Sequence, residues 1–231
     1  MNENIKLFEF DNTDELVIEF ADKIAHNLQK AVNENGQASL LVSGGSTPQP
    51  LFARLSNLEI DWNKIKIGLV DERWVEFVSN DSNARLVSEN LIQNKASKAK
   101  FVSMKLDATS PKQAEKECGE IYANELWPFD VVILGMGNDA HTASLFPKTK
   151  ELQNAMTTDD ICVATMPLDA QHERMSLSLK AILSAKNLYL HFEGEAKKEV
   201  FRQVISGTDY NKMPIRAVIK QNQKEVEVYF A

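Results

Sequence analysis

The sequence predicts an α/β fold, a three-layer Rossmann-like sandwich in which a mostly parallel sheet is flanked by helices. Two observations lead to this prediction. Short, continuously apolar runs recur along the 231-residue chain, and segments with helical spacing of apolar residues lie between several of them. Strands that are buried on both faces are apolar throughout, and such strands form parallel sheets covered by helices.

Length and composition favour one domain spanning residues 1–231. A domain has about 150 residues on average, and no repeat, linker or low-complexity tract divides the chain. Hydrophobic residues make up 43% of the sequence and charged residues 26%, so a buried core is expected and global disorder is excluded. The net charge of -7 argues against nucleic-acid or anionic-membrane partners, but it leaves room for a small anionic ligand.

The first element is an amphipathic helix with acidic residues in its first turn and a glycine stop. It starts at Thr13-Asp14-Glu15 and ends before Gly36. Its apolar residues recur three or four positions apart, which is the spacing of one helix face. They are Leu16, Val17, Phe20, Ile24, Leu28 and Ala31.

The remaining elements follow from the same two patterns. Further helices are predicted at Gln49 to Leu55, up to Leu91 after the caps Asn80 to Asn83, at Pro111 to Leu126 and at Glu195 to Ile205. The final stretch, Glu225 to Phe230, alternates polar and apolar residues, which predicts a half-exposed edge strand. Buried strands are predicted at Ala38–Val42, Ile65–Val70, Phe101–Met104, Phe129–Leu134, Ile161–Thr165, Arg174–Ser178, Leu188–Phe192 and Arg216–Ile219.

Ligands of α/β sheets gather beyond the carboxyl ends of the strands, so the loops there are the first place to look for chemistry. One such loop holds Ser43, Gly44, Gly45, Ser46 and Thr47, followed by Pro48. Glycines, hydroxyls and the N–H groups of a starting helix form an anion cradle, yet a tight turn capped by Ser46 or Thr47 fits equally well. The lysine of a nucleotide triphosphate loop is missing.

The next strand ends in three charged residues, Asp71, Glu72 and Arg73. Charged groups at the tip of an apolar strand must be exposed or paired, and the fold rule brings them beside the preceding loop. This position favours a functional role over a surface ion pair. A role in proton transfer for Asp71 or Glu72 and a pairing with Arg73 both remain open.

The loop after Phe129 to Leu134 contains the pattern G-x-G-x-x-A, which departs from a dinucleotide fingerprint in its third glycine. Asp139 and His141 lie two positions apart in it. In that arrangement a carboxylate fixes the imidazole tautomer and makes the ring a credible general base. His26, His172 and His191 lack comparable sequence surroundings. Arg174 and Lys197 add fixed positive charge at a strand end and a helix start, as a phosphate monoester requires.

The two cysteines, Cys118 and Cys162, have no zinc-like spacing, so they are expected to be core residues and no metal site is predicted. No basic leader followed by an apolar segment opens the chain, and no apolar run approaches about 18 residues. The expected compartment is the cytoplasm.

Taken together and in order, these motifs resemble the 6-phosphogluconolactonase family, in the superfamily that also contains glucosamine-6-phosphate deaminase. The resemblance covers nearly the whole chain. Two departures are visible, because Ala140 stands where the family usually has glycine and Ser176 where it often has threonine. The motifs are Ser43 to Pro48, Asp71 to Arg73, Ser82-Asn83, Gly135 to Pro147, Arg174 to Ser176, and Gly194 with Lys197.

The resemblance implies hydrolysis of 6-phosphoglucono-δ-lactone to 6-phosphogluconate, with a sugar-phosphate lactone as the small-molecule partner and no cofactor. His141 would activate water and Asp139 would orient it. Ser43, Gly44, Gly45, Ser46 and Thr47 would hold the phosphate with Arg174 and Lys197. Arg73 would assist the phosphate or the carbonyl oxyanion, and Asp71 would belong to the substrate site.

Two other functions are weighed against this one. In the deaminases a glutamate used in ring opening follows the histidine by five positions, and Phe146 stands there in this chain. Because phenylalanine cannot transfer a proton, the lactonase is favoured. A sugar-phosphate sensor without turnover ranks last, because Asp139 and His141 are both present. The sequence leaves the oligomeric state open.

Overall fold

The computed structural model describes residues 4–168 and 171–231. A seven-stranded sheet lies among helices, and every neighbouring pair of its strands is parallel. This arrangement confirms the predicted α/β architecture. The strands are β1 (Ile5–Glu9), β2 (Ala38–Val42), β3 (Ile65–Leu69), β4 (Asp71–Arg73), β5 (Lys100–Phe101), β6 (Val131–Leu134), β7 (Cys162–Thr165), β8 (Arg174–Leu177), β9 (Asn187–Phe192) and β10 (Val226–Phe230).

The helices agree closely with the spacing of apolar residues. The first begins after Asn12, whose side chain accepts a hydrogen bond from the Glu15 N–H, and ends at Gly36 with φ of 78°. Short 3₁₀ turns occupy Trp62–Lys64 and Asn94–Lys98. The α-helices are α1 (Thr13–Asn35), α2 (Gln49–Leu55), α3 (Asn83–Asn90), α4 (Pro111–Glu125), α5 (Leu152–Thr157), α6 (Leu179–Leu183), α7 (Glu195–Ser206) and α8 (Arg216–Ile219).

The order of the large sheet, β1-β10-β9-β6-β2-β3-β5, contains a switch point between β2 and β6. From β2 the sheet continues through β3 to one edge, and from β6 it continues through β9 towards the other. The connections that leave β2 and β6 therefore diverge and open a crevice at their carboxyl ends. Ligands of open α/β sheets bind in such a crevice.

The core lies on both faces of the central strands. Every residue of β2 and β6 is buried, and α1 covers one face with its fully buried Leu16, Phe20, Ile24 and Leu28. Cys118 and Cys162 are buried, as predicted, with their sulfur atoms 3.2 Å apart and without a disulfide bond. Within the described residues, no helix is long and apolar enough to span a bilayer.

A second, smaller sheet is antiparallel and has the order β4-β8-β7. The sequence indicated its strands at Arg174 to Ser178 and Ile161 to Thr165 without indicating that they form a sheet of their own. Its register makes Arg73 the direct partner of Arg174 across β4 and β8. Two cations separated by 101 positions in sequence thereby lie side by side.

Two predicted elements are wrong, and a third is misplaced, because the predicted strand at Phe101–Met104 shares only Phe101 with β5. The segment Arg216–Ile219 is the helix α8 rather than a strand, because periodicity cannot distinguish a four-residue apolar run in a strand from one in a helix. Strand β10 is an interior strand rather than an edge, since the unpredicted β1 pairs with its outer side and β9 with its inner side. The alternation in β10 therefore reflects a partly exposed face of the sheet.

Candidate active site

A cavity of about 440 Å³ lies at the switch point and is lined by the loops that follow β2 and β6. The small sheet closes one side of it and the start of α7 closes another. Asp139 lies immediately behind the lining and bonds to His141. Of the other residues that the sequence singled out, the cavity is lined by Ser43, Gly44, Gly45, Ser46, Thr47, Asp71, Arg73, His141, Arg174 and Lys197.

The loop after β2 is tied to the loop after β6 through one side chain. The Ser43 hydroxyl donates to the Ile133 carbonyl at 3.2 Å and accepts from the Gly135 N–H at 3.0 Å. Gly45 has φ of 101°, a conformation that residues with a side chain rarely adopt. Neither loop hydroxyl caps α2, because its N-cap is Pro48 and no side chain bonds there. Of the two interpretations left open by the sequence, the capped turn is therefore wrong.

His141 and Asp139 form a dyad at the cavity wall. The carboxylate Oδ1 lies 2.5 Å from the imidazole Nδ1 and also accepts the backbone N–H of His141 at 3.1 Å. Burial opposes ionisation of Asp139, but these hydrogen bonds outweigh it and lower the pKa of the carboxyl below its usual value. The carboxylate is therefore charged at neutral pH, and the Nδ1–H tautomer leaves Nε2 as the basic nitrogen.

The dyad is held by a tight turn in which side chain and backbone approach closely. Gly137 N–H donates to the His141 carbonyl at 2.9 Å, and Ala140 N–H donates to the Gly137 carbonyl at 3.0 Å. A Cβ atom at Gly137 would lie 2.3 Å from the imidazole Nδ1 and 2.7 Å from the Asp139 carboxylate. Only glycine leaves room for both side chains at this position.

Phe146 packs against both the base and a cation. Its ring centroid lies 4.3 Å from that of His141, and the Arg174 guanidinium carbon lies 5.8 Å from its centre. The two rings are tilted by 34°, so the phenyl ring packs against the imidazole while the carboxylate bonds to its Nδ1. An apolar ring therefore stands beside the base where a deaminase would need an acid.

Arg73 and Arg174 reach the cavity from the small sheet. Arg73 donates through Nη1 to the Asp81 carbonyl at 2.8 Å, and Arg174 donates through Nε to the His172 carbonyl at 3.3 Å. Burial lowers the pKa of Arg174, and the neighbouring Arg73 lowers it further, while Asp71 opposes both effects. Two cations next to each other form an attractive site for an anion.

The two acids at the end of β4 differ in their surroundings. Asp71 lines the cavity, and its Oδ2 accepts the Ser144 hydroxyl at 2.5 Å. Glu72 turns away and accepts the N–H groups of Asn83 at 2.8 Å and Ala84 at 2.7 Å. Burial raises the pKa of Glu72 despite these bonds. Glu72 therefore stabilises the start of α3, which leaves Asp71 as the acid that faces the cavity.

Lys197 lies in the first turn of α7, and its ammonium donates to the Met136 carbonyl at 2.5 Å. This bond directs the charge towards the loop after β6, whereas the two arginines reach the cavity from the small sheet. Burial lowers the pKa of Lys197. An anion between these groups would meet positive charge from two directions.

Several lining residues were not predicted as site residues from the sequence. Asn83 was interpreted as part of a helix cap, but it lines the cavity and donates to the Asp71 carbonyl at 2.9 Å, while Ser82 makes the capping bond. Two of the other histidines, contrary to expectation, also have a carboxylate partner. His191 lies 3.1 Å from Glu193, and His172 lies 3.2 Å from Asp81. The i, i+2 pairing of His191 with Glu193 was readable from the sequence.

The described residues form no cluster of metal-ligating side chains. Among residues 4–168 and 171–231, no three His, Cys, Asp or Glu side chains are arranged so that they could hold a metal ion. Three cations and three hydroxyls line the cavity with His141 and His191, and Asp71 is the one carboxylate among the described residues of this lining, so the balance of charge suits an anionic ligand.

Comparison with known proteins agrees with this chemistry. A profile described as "Glucosamine-6-phosphate isomerases/6-phosphogluconolactonase" matches residues 11–228. A 6-phosphogluconolactonase from Rhizobium meliloti (strain 1021) is 39% identical over 233 residues, covering 100% of both chains. The crystal structure of a 6-phosphogluconolactonase from Shewanella baltica OS155 is 47% identical with a TM-score of 0.97, covering 100% of this chain and 99% of that one.

The same fold also carries the sister activity. A monomeric glucosamine-6-phosphate deaminase superposes with a TM-score of 0.81 at 17% identity, covering 97% of this chain and 96% of the other. At that identity only the fold is shared. The choice between the two activities must therefore come from the site residues and from the more similar relatives.

Proposed function

Because this chain belongs to the family of glucosamine-6-phosphate isomerases and 6-phosphogluconolactonases, we infer that it hydrolyses 6-phosphoglucono-δ-lactone to 6-phosphogluconate, a step of the oxidative pentose phosphate pathway. The observation that carries the choice within the family is the His141–Asp139 dyad with the Phe146 ring packed against the imidazole. The dyad supplies a base for hydrolysis, and the phenylalanine lacks the proton that opening a sugar ring requires.

We assign His141 as the general base. With Nδ1 donating to Asp139, Nε2 takes a proton from water as the water oxygen bonds to the lactone carbonyl carbon. The bond from that carbon to the ring oxygen then breaks, and the imidazolium returns its proton to the departing oxygen. Asp139 keeps the ring in the required tautomer and stabilises its charged form.

The negative charges of substrate and transition state have separate partners in this proposal. The phosphate is held by the Ser43 to Thr47 loop with Lys197 and Arg174, and Arg73 adds charge at the phosphate or at the carbonyl oxyanion. A lactone is an activated ester, so a positioned water, one base and stabilisation of the oxyanion are sufficient. No step in this mechanism calls for a cofactor. The cytoplasmic location stays a prediction.

The test is an assay of the purified protein with two substrates in parallel. The lactone is generated freshly by oxidation of glucose 6-phosphate and followed by acid release, with spontaneous hydrolysis subtracted. Glucosamine 6-phosphate is followed by ammonia release. We expect acid from the first and no ammonia from the second, whereas ammonia without lactone hydrolysis would contradict the assignment.

A His141→Ala variant in the same assay tests the base. Its turnover should fall by about 10²- to 10⁴-fold, the usual contribution of a general base. Near-normal turnover would remove His141 from that role. Binding of 6-phosphogluconate without turnover of either substrate would instead support a sugar-phosphate sensor.

A further inference from the structure

Two loops meet at the rim of the cavity beside the small sheet. One is residues 74–82, between β4 and α3, and the other is residues 171–173, which lead into β8. Trp74 N–H donates to the Glu173 carbonyl at 2.8 Å. The only side-chain pair between the two loops among the described residues joins Asp81 Oδ2 to His172 Nε2 at 3.2 Å.

The same two residues anchor the two arginines through their backbone. The Asp81 carbonyl accepts from Arg73, and the His172 carbonyl accepts from Arg174. Arg73 and Arg174 are in turn direct partners across β4 and β8. The four residues therefore form a closed ring of contacts, in which the Asp81–His172 side-chain pair fixes the separation of the two carbonyls.

The arginines need such anchors because their charges repel each other. Burial lowers the pKa of Arg174 most and neighbouring Arg73 lowers it further, while the carboxylates of Asp71, Glu72 and Asp81 raise it. Flexible guanidinium groups with like charge would separate into solvent unless acceptors held them. Bonds to two carbonyls at a fixed distance keep both groups facing one anion before it binds, which reduces the ordering cost of binding.

The pair itself contributes little to the stability of the fold. The side chain of His172 is 30% exposed and that of Asp81 is 54% exposed. Ion pairs this exposed contribute at most about 1 kcal/mol, because water screens them. Removing the pair should therefore leave the protein folded and change mainly the position of the two loops.

We propose that the Asp81–His172 pair is a positioning device that holds the Arg73 and Arg174 guanidinium groups together at the cavity, so that it controls substrate affinity rather than the chemical step. This proposal rests on the proposed function for its substrate. Neither residue touches the reacting atoms. Each acts through a backbone carbonyl, which a side-chain substitution leaves in place.

The experiment compares four variants with the wild-type enzyme. His172→Ala and Asp81→Ala each remove the side-chain pair, His172→Gln retains a donor near the Nε2 position, and Asp159→Asn removes an exposed ion pair with Lys180 as the control. We expect KM for the lactone to rise about two- to fivefold in the first two variants, the factor that matches a partly exposed polar pair. The kcat should stay within twofold and the Tm should not change. His172→Gln and Asp159→Asn should resemble the wild type.

A double variant, Asp81→Ala with His172→Ala, should raise KM no further than either single change, because the pair acts as a unit. Unchanged KM in both single variants would overturn the proposal. So would a fall in kcat at constant KM, or an additive effect in the double variant.

Two further measurements separate this proposal from the assignment of the reaction. The dissociation constant of 6-phosphogluconate, measured by calorimetry, should rise about two- to fivefold in the same two variants. This measurement needs no turnover, so it tests the device even if the wild-type protein hydrolyses nothing. The Nε–Hε signal of Arg174 in ¹H–¹⁵N spectra should move in His172→Ala and stay in His172→Gln, with no ligand required. An Arg174 signal that is identical in all variants would contradict the device whatever the substrate is.

Discussion

Replacing Asp139 with asparagine tests the dyad with the least change in shape. The side chain keeps its size, and its Oδ1 can still accept the His141 backbone N–H, which donates at 3.1 Å in the wild type. What disappears is the charge that faces the imidazole Nδ1 at 2.5 Å. Turnover should fall because the imidazolium that forms during water attack loses its counter-ion.

The size of the effect follows from the bond that is weakened. A hydrogen bond to a charged group contributes about 1.5–3 kcal/mol, and a neutral one contributes about 0.5–1.5 kcal/mol. The exposed fraction is 46% for the Asp139 side chain and 31% for that of His141, so water screens part of this difference. A loss of about 1–1.5 kcal/mol corresponds to a fall in kcat of roughly 5- to 12-fold.

The assay is acid release from freshly generated lactone, with initial rates corrected for spontaneous hydrolysis. KM should change little, because Asp139 lies behind His141 and outside the cavity lining. Asp61→Asn, which removes an exposed pair with Lys64, is the matched control. Turnover within twofold of the wild type would refute an orienting role. A fall in turnover as large as that of His141→Ala would be too large to come from one weakened hydrogen bond.

Five further substitutions test the phosphate site, the start of α3 and the turn before His141. Lys197→Ala and Arg174→Ala should each raise KM about tenfold through loss of one charge-assisted bond, and unchanged KM in both would remove the phosphate site. Because burial lowers the pKa of Lys197, wild-type KM should rise at alkaline pH below 10.5 as the ammonium loses its proton, and Lys197→Arg should resist this rise. Glu72→Gln should lower the free energy of unfolding by about 1–3 kcal/mol in urea titrations, since the amide turns a donor towards the Ala84 N–H. Because the pKa of Glu72 is raised in the folded state, the wild type loses stability as pH rises from 4.5 through the folded-state pKa. The glutamine does not titrate, so the difference in the free energy of unfolding between the two proteins should shrink towards neutral pH. A difference that grows with pH would contradict the raised pKa. Ala140→Gly should change the free energy of unfolding by less than about 1 kcal/mol, because relief of a left-handed alanine and loss of a buried methyl group nearly cancel.

The sequence was most informative where a short segment carries its own physical constraint. Apolar periodicity located α1 and α2, and the continuous apolar runs located the central strands β2 and β6. Once those strands are placed, the rule for carboxyl ends brings the loops at Ser43 and His141 together without any knowledge of the sheet order. The loops after β2 and β6 and the start of α7 thus bring their predicted site residues to one cavity, whereas Asp71, Arg73 and Arg174 reach it from the small sheet.

What the sequence could not supply are contacts between segments distant in sequence. The partnership of Arg73 with Arg174 depends on the register of an antiparallel sheet whose strands are only three and four residues long. The pairing of His172 with Asp81 spans 91 positions and has no local pattern. Strand β1 escaped prediction because its exposed residues break the apolar run, and with it the interior position of β10 was lost.

The turn that carries the dyad shows why the alanine at position 140 is tolerated where the family usually has glycine. Ala140 has φ of 61° and Ala143 has φ of 47°, each a left-handed conformation that costs an alanine about 1–2 kcal/mol. The surrounding bonds determine this conformation, because the Ala140 carbonyl accepts the Ile215 N–H at 3.0 Å and the Thr142 hydroxyl donates to the Gly135 carbonyl at 2.8 Å. Strain held in place by such contacts is a feature of functional sites. Here it places the imidazole where the Asp139 carboxylate and the Phe146 ring both reach it, so the dyad forms with a methyl group at position 140.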